Sequence, residues 1–287
     1  MRFEHLRPFR DLAVIVAFGG WNDAGSAASD TAEHVLGRYE RVELGAIDDE
    51  RYFDYQATRP FMRRSPDGPF IEWPSISLAL IRHPERDILV VVGPEPSLLW
   101  RSFATELVGT LKQLEPSLVV LLGAMLSDTP HSRPLPVTMY TFDSGLRELL
   151  DLEPSNYEGP TGIIGVINQM LIAEQLPTAS MWVAIPHYVS NPPSPKGQQA
   201  LLSRLEQVLG VSLDYDDLPD EAAKWSEAVD ELSSEDPDVA EYIEQLEEAK
   251  DAHDVEGATG DTIAAEFERY LRGRGDGRSR GRGPRHS

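Results

Sequence analysis

The chain has 287 residues, 41% hydrophobic and 26% charged, with a formal net charge of -22 and no cysteine. Without cysteine, disulfide frameworks, thiolate nucleophiles, iron–sulfur clusters and thiolate zinc sites are excluded. A surface of this sign repels a polyanion, which argues against general nucleic-acid binding. No run reaches the roughly 18 apolar residues of a membrane helix and the N-terminus MRFEHLRPFRDL lacks the apolar core of a signal peptide, so a cytoplasmic protein without membrane contact is expected.

In chain order, the first element is the apolar run Leu12–Phe18 (LAVIVAF), followed by glycines and small residues that suit a strand–turn–helix entry. Further Val/Ile/Leu-rich runs follow at Ser77–Ile81, Asp87–Gly93, Leu118–Ala124, Val137–Phe142 and Met181–Ile185. Continuous rather than alternating apolar character predicts strands covered on both faces. Between them, apolar residues recur at three and four in Phe103–Leu114, Gly162–Gln175 and Gly197–Leu209, which predicts amphipathic helices. Strands alternating with such helices predict an α/β domain with a largely parallel sheet. After about Gly210 the strand signal stops. Residues 214–272 are predicted as an acidic helical extension, with Asp261 placed to cap its last helix. Residues 273–287 are Arg/Gly-rich and are expected to be disordered.

The candidate chemistry lies in loops. Gly20-Trp21-Asn22-Asp23-Ala24-Gly25-Ser26 has the outline of a phosphate loop, but the lysine that should follow the second glycine is absent. Gly19 and Gly20 do not open a dinucleotide fingerprint either. Asp23 falls at the predicted helix start, where its carboxylate suits the free amides and repels a phosphate. The reading taken is a tight turn capped by Asn22 or Asp23. Ser127–Val137 follows a strand and offers His131 as a proton carrier and Arg133 as an anion clamp, while its three prolines describe a rigid structural loop. Asn156–Gly162 adds Glu158, and Pro186–Gly197 adds His187. Gly19, Gly20, Asn22, Asp23, Gly25, Ser26, His131, Arg133, Glu158 and His187 form the candidate ligand-binding set. No histidine pair at helical spacing and no G-x-S-x-G elbow is present, so no metal, cofactor or catalytic residue is assigned.

AFGGWNDAGSAA, the GAM–SDTPHSRP segment, NYEGPTGIIGV, IPHYVSNPPSPKG and TIAAEFERYLR, in this order and spacing, resemble the proteasome-assembly-chaperone-two family, most closely its bacterial branch. The resemblance implies a three-layer α/β/α sandwich similar to nucleoside phosphorylases over residues 1–213, with a C-terminal helical extension. It also implies self-association and, from eukaryotic and archaeal members, binding to proteasome subunits. It brings no catalytic set. Members that dock on proteasomes by their tails end in a hydrophobic residue, a tyrosine and one more residue, whereas here Tyr270-Leu271 is followed by further residues. The expected function is therefore a non-enzymatic, self-associating, partner-binding protein. The alternative is a small-molecule binder or enzyme with a phosphorylase-like pocket for an anionic or nucleoside-like ligand.

Overall fold

The computed structural model describes residues 8–257 apart from 49 and 153, with side chains up to 252. Asp261, Tyr270-Leu271 and the Arg/Gly-rich tail lie outside the described residues. The chain divides into two compact units, Met1–Leu232 and Ser233–Ser287.

The first unit is built on seven strands: β1 (Ala13–Gly19), β2 (Arg41–Ile47), β5 (Ile76–Arg82), β6 (Asp87–Pro94), β7 (Leu118–Ser127), β8 (Val137–Tyr140) and β9 (Thr178–Pro186). They are ordered β2-β5-β6-β1-β7-β9-β8. The four central strands are parallel, whereas β5 is antiparallel to β2 and β6, and β8 is antiparallel to β9. The sheet is thus mixed rather than largely parallel. The cause is local: only His83–Arg86 separate β5 from β6, too short for the crossover a parallel pair requires.

Helices cover both faces, giving the three-layer α/β/α sandwich. Ala13, Ile15 and Ala17 of β1 pack in a cluster with helices α1 (Ala27–Arg38) and α5 (Pro195–Leu209). The alternate residues Val14, Val16 and Phe18 pack with helices α2 (Trp100–Leu114) and α4 (Ile163–Ala173). The period-two pleat explains why β1 is apolar at every position. Full burial of each of its valine, isoleucine and phenylalanine side chains stabilises by about 1.5–3 kcal/mol. Phe18 meets Phe103 of α2 edge to face at 5.8 Å between centroids. A short helix α3 (Ser144–Leu150) links β8 towards α4, and its Asp143 carboxylate accepts from the Leu146 N–H.

Helix α6 (Leu218–Ser234) begins in this unit, and Leu213 and Leu218 join the core cluster on the α1/α5 face. Within the second unit, helix α7 (Pro237–Gly257) carries six glutamates and aspartates from Glu241 to Asp254 against one lysine, Lys250.

Two strands stand apart from the main sheet. β3 (Phe61–Ser65) and β4 (Gly68–Glu72) form an antiparallel hairpin of their own across Pro66-Asp67. Gly68 has φ +124, a conformation that costs glycine little.

Candidate functional site

The carboxyl ends of the parallel strands form one edge of the sheet. There β1 and β7 are neighbours, but the chain leaves β1 through α1 on one face and leaves β7 towards the opposite flank, a topological switch point. Regular pairing of the two strands ends at Val16 and Leu121, and a single bridge between Asp23 and Ala124 resumes it. Beside that bridge opens a cleft of about 500 Å³, between the Gly20–Ser26 loop and Ala124–Leu126.

The loop is shaped by its glycines. Gly25 has φ +60, and a Cβ placed there would lie 2.8 Å from Ser194 Cβ, so close approach as well as conformation demands glycine. Ser26 follows with φ +56, a left-handed conformation that costs a non-glycine residue on the order of 1 kcal/mol. Asp23 lies behind this turn. Its Oδ1 accepts from the Ala28 N–H at 2.7 Å and the Ser29 N–H at 3.3 Å, and its Oδ2 accepts from the Ser29 hydroxyl. Two first-turn amides of α1 are thereby satisfied by the chain's own carboxylate. Burial pushes the Asp23 carboxyl above its ordinary value, and the three hydrogen bonds only partly offset this.

Asn22 does not cap α1. It is buried, and its Nδ2 donates to Glu95 Oε1 at 3.1 Å. The same Glu95 oxygen accepts from the Ile163 N–H at 2.9 Å, the first amide of α4. Glu95 just follows β6, and its own N–H donates to the Gly19 carbonyl at 2.8 Å. A Cβ on Gly162 would come within 2.3 Å of Asn22 Nδ2, so the helix start is pressed against this amide. Sequence reasoning missed Glu95. The only local signal was its place just past an apolar run in Gly93-Pro94-Glu95-Pro96, since its partners lie 73 and 68 residues away.

His131 is 1% exposed, and both ring nitrogens are engaged. Its backbone N–H donates to the Tyr188 hydroxyl oxygen at 2.7 Å, and that hydroxyl lies 2.9 Å from the ring Nδ1. On the other side of the ring, Nε2 lies 2.9 Å from Asp230 Oδ1 on α6. Lys196 of α5 donates to the His131 carbonyl, and burial lowers the pKa of its ammonium. This network ties the loop after β7 to the segment after β9 and to α6.

The other candidates are separately placed. Arg133 is half-buried in the loop after β7, Glu158 is exposed in the connection before α4, and His187 is exposed with Nδ1 3.2 Å from Asp128 Oδ1. Of the candidate set, Gly20, Asp23, Gly25 and Ser26 line the cleft; among its described lining residues there is no lysine, arginine or histidine. Among the described residues there is also no group of three or more His, Asp or Glu placed to hold a metal ion. No described helix is long and apolar enough to cross a membrane.

Residues 17–233 match the model of the PAC2 family. The chain belongs to the PAC2 family. A PAC2 family protein from Streptomyces avermitilis is 42% identical, with a TM-score of 0.75 over 81% of this chain and 100% of that one. A Mycobacterium tuberculosis proteasome-assembly chaperone homologue is 40% identical, with a TM-score of 0.73 over 80% of this chain and 99% of that one. These PAC2 neighbours are bacterial, as the sequence motifs implied. An archaeal homologue of proteasome-assembly chaperone from Pyrococcus furiosus shares the fold at 17% identity, with a TM-score of 0.58 over 85% of this chain and 97% of that one. No curated protein matches the chain.

Proposed function

We propose that this PAC2 protein acts by binding protein: it associates with copies of itself and engages a protein partner as a proteasome-assembly-chaperone-like factor in the cytoplasm. The observation that carries the reading is the β3–β4 hairpin. Phe61 is 60% exposed, Met62 67%, Phe70 48% and Ile71 41%, with Trp73 at 53% just beyond it. An isolated two-stranded hairpin is marginal in water, and monomers rarely expose apolar patches beyond a few hundred Å². Taking about 200 Å² for each large side chain, Met62 and Ile71 on one face and Phe61 and Phe70 on the other each leave roughly 200 Å² open, apolar anchors around which neighbouring surface completes the ~1,200 Å² of a specific interface.

The partner class is supported by the homologue from Mycobacterium tuberculosis, whose description is that of a proteasome-assembly chaperone homologue. The acidic α7 adds a face that suits a basic partner surface. The anion-binding alternative lacks support from the site, because Asp23 occupies the start of α1 and Glu95 the start of α4. The test is retention of separately expressed proteasome α and β subunits, and of their unassembled mixture, on the immobilised full chain at low salt. Retention of an α subunit or of an assembly intermediate is expected. Retention of none overturns the reading.

A further inference from the structure

The switch-point cleft is not needed for docking through the hairpin, yet it has the build of a small-molecule site. Its about 500 Å³ falls within the range of ligand pockets, which are mostly apolar with a few polar groups. Three large apolar side chains are left open at its lining: Trp21 at 66%, Met125 at 45% and Leu126 at 51%. Trp21 stands between Gly20, at φ +121, and the buried Asn22. Its exposed indole offers a flat face to a stacking ligand.

The polar side chains of the lining include two hydroxyls, Ser26 and Ser190, and one carboxyl, Asp23. The hydroxyls can give or accept a hydrogen bond without asking for charge. Asp23 is held by α1, and its field makes the cleft hostile to an anion. Indole and thioether walls favour a flat π-system over a branched aliphatic one, through stacking and sulfur–ring contact. From these residues we infer that the cleft binds a small, flat, uncharged aromatic ring of one or two fused cycles, set against the Trp21 indole with Met125 and Leu126 around it and its heteroatoms towards Ser26 and Ser190.

Ligand-observed NMR and titration calorimetry on the full chain, with adenine and indole as neutral probes and AMP and benzoate as anionic ones, test this site apart from any protein partner. Saturable binding of adenine or indole is expected, with Kd of about 1 mM or tighter, and at least ~10-fold weaker binding of the anionic probes. Trp21→Ala, at an exposed position, is expected to weaken the neutral probes ~10-fold with the fold intact. Leu126→Lys is expected to narrow the gap between adenine and AMP. The inference is overturned if neither neutral probe saturates by ~10 mM, if AMP binds as well as adenine, or if Trp21→Ala changes nothing. It is equally overturned if probe binding is lost as protein concentration rises, since a second copy then fills the cleft.

Discussion

Replacing Met62 and Ile71 by serine isolates one face of the hairpin. The two residues are paired across β3 and β4, so their side chains project on the same side, away from the face where Arg63 meets Glu72 at 2.6 Å and lies 5.0 Å over the Phe61 ring. Met62 leaves 67% of its surface open and Ile71 41%. Full burial of such a side chain is worth about 1.5–3 kcal/mol, which scales to about 1–2 kcal/mol at Met62 and about 1 kcal/mol at Ile71. A symmetric contact uses the hairpin of both copies, so the double substitution removes about 4–6 kcal/mol and raises the dissociation constant ~10³-fold or more. The isolated chain barely notices, because both side chains already face water and surface substitutions usually stay within about 0.5 kcal/mol. Sedimentation velocity over roughly 1–100 μM reads the outcome, a range set to bracket micromolar association. The expected result is a concentration-dependent oligomer for the wild type and a monomer of unchanged melting temperature for the variant. A wild-type chain that stays monomeric throughout, or a variant with the wild-type dissociation constant, refutes the reasoning.

Three further outcomes probe the fold around the site. A Cβ on Gly123 would sit 2.5 Å from the Trp182 ring laid across β7, so Gly123→Ala is expected to destabilise by about 1–3 kcal/mol in urea unfolding through overpacking. His131→Ala removes a buried ring held by Tyr188 and Asp230 and is expected to cost about 2–4 kcal/mol. Asp230→Ala, at a side chain 67% exposed, should cost less than about 1 kcal/mol, and equal losses in the two variants would argue against this division. Burial, then the negative charges of Asp23 and Glu33, raise the Asp30 carboxyl from 3.8 to about 6. Between those values the folded chain holds more protons than the unfolded one, so this contribution is present below pH 3.8 and is lost as pH rises through about 6. Asp30→Asn is expected to flatten that part of the stability–pH curve, as read by chemical denaturation at pH 4, 5, 6 and 7; an unchanged slope would contradict it.

Most strands visible in the sequence are those whose two faces are both buried. Continuous apolar runs announced β1, β5, β6, β7 and β9, because helices on both sides of the sheet demand an apolar residue at nearly every position, whereas β8 is an edge strand with only Met139 buried. β2 escaped because it is an edge strand whose residues are mostly exposed, with a register shift between Glu43 and Gly45. The hairpin escaped for a different reason. Its strands carry Arg63, Arg64 and Glu72 among the apolar residues and are exposed almost throughout, so no hydrophobic period marks them. The turn signal Pro66-Asp67-Gly68 between two short runs was present in the sequence. At the site, Asp23 was legible as a cap from its place before a small-residue helix. Glu95, Tyr188 and Asp230 were not, because their partners are brought to them only by the sheet and by α6.

The missing lysine of the glycine loop and the two carboxylate caps belong to one arrangement. A phosphate-binding version of this edge would leave the amides of α1 free and set a cation beside them. Here the amides of Ala28 and Ser29 are taken by Asp23, and the first amide of α4 is taken by Glu95, which Asn22 holds in place. Each carboxylate occupies the position an anionic ligand would need, so the sequence carries its own anions where an enzyme of this layout would carry a substrate. Recognition at this edge is therefore left to shape and to apolar surface. Trp21, Met125 and Leu126 provide that surface at the cleft, as Met62 and Ile71 do on the hairpin. Adding the lysine alone would not restore an anion site, because the Asp23 carboxylate would pair with it. Only its combination with removal of Asp23 would free the α1 amides for an incoming anion.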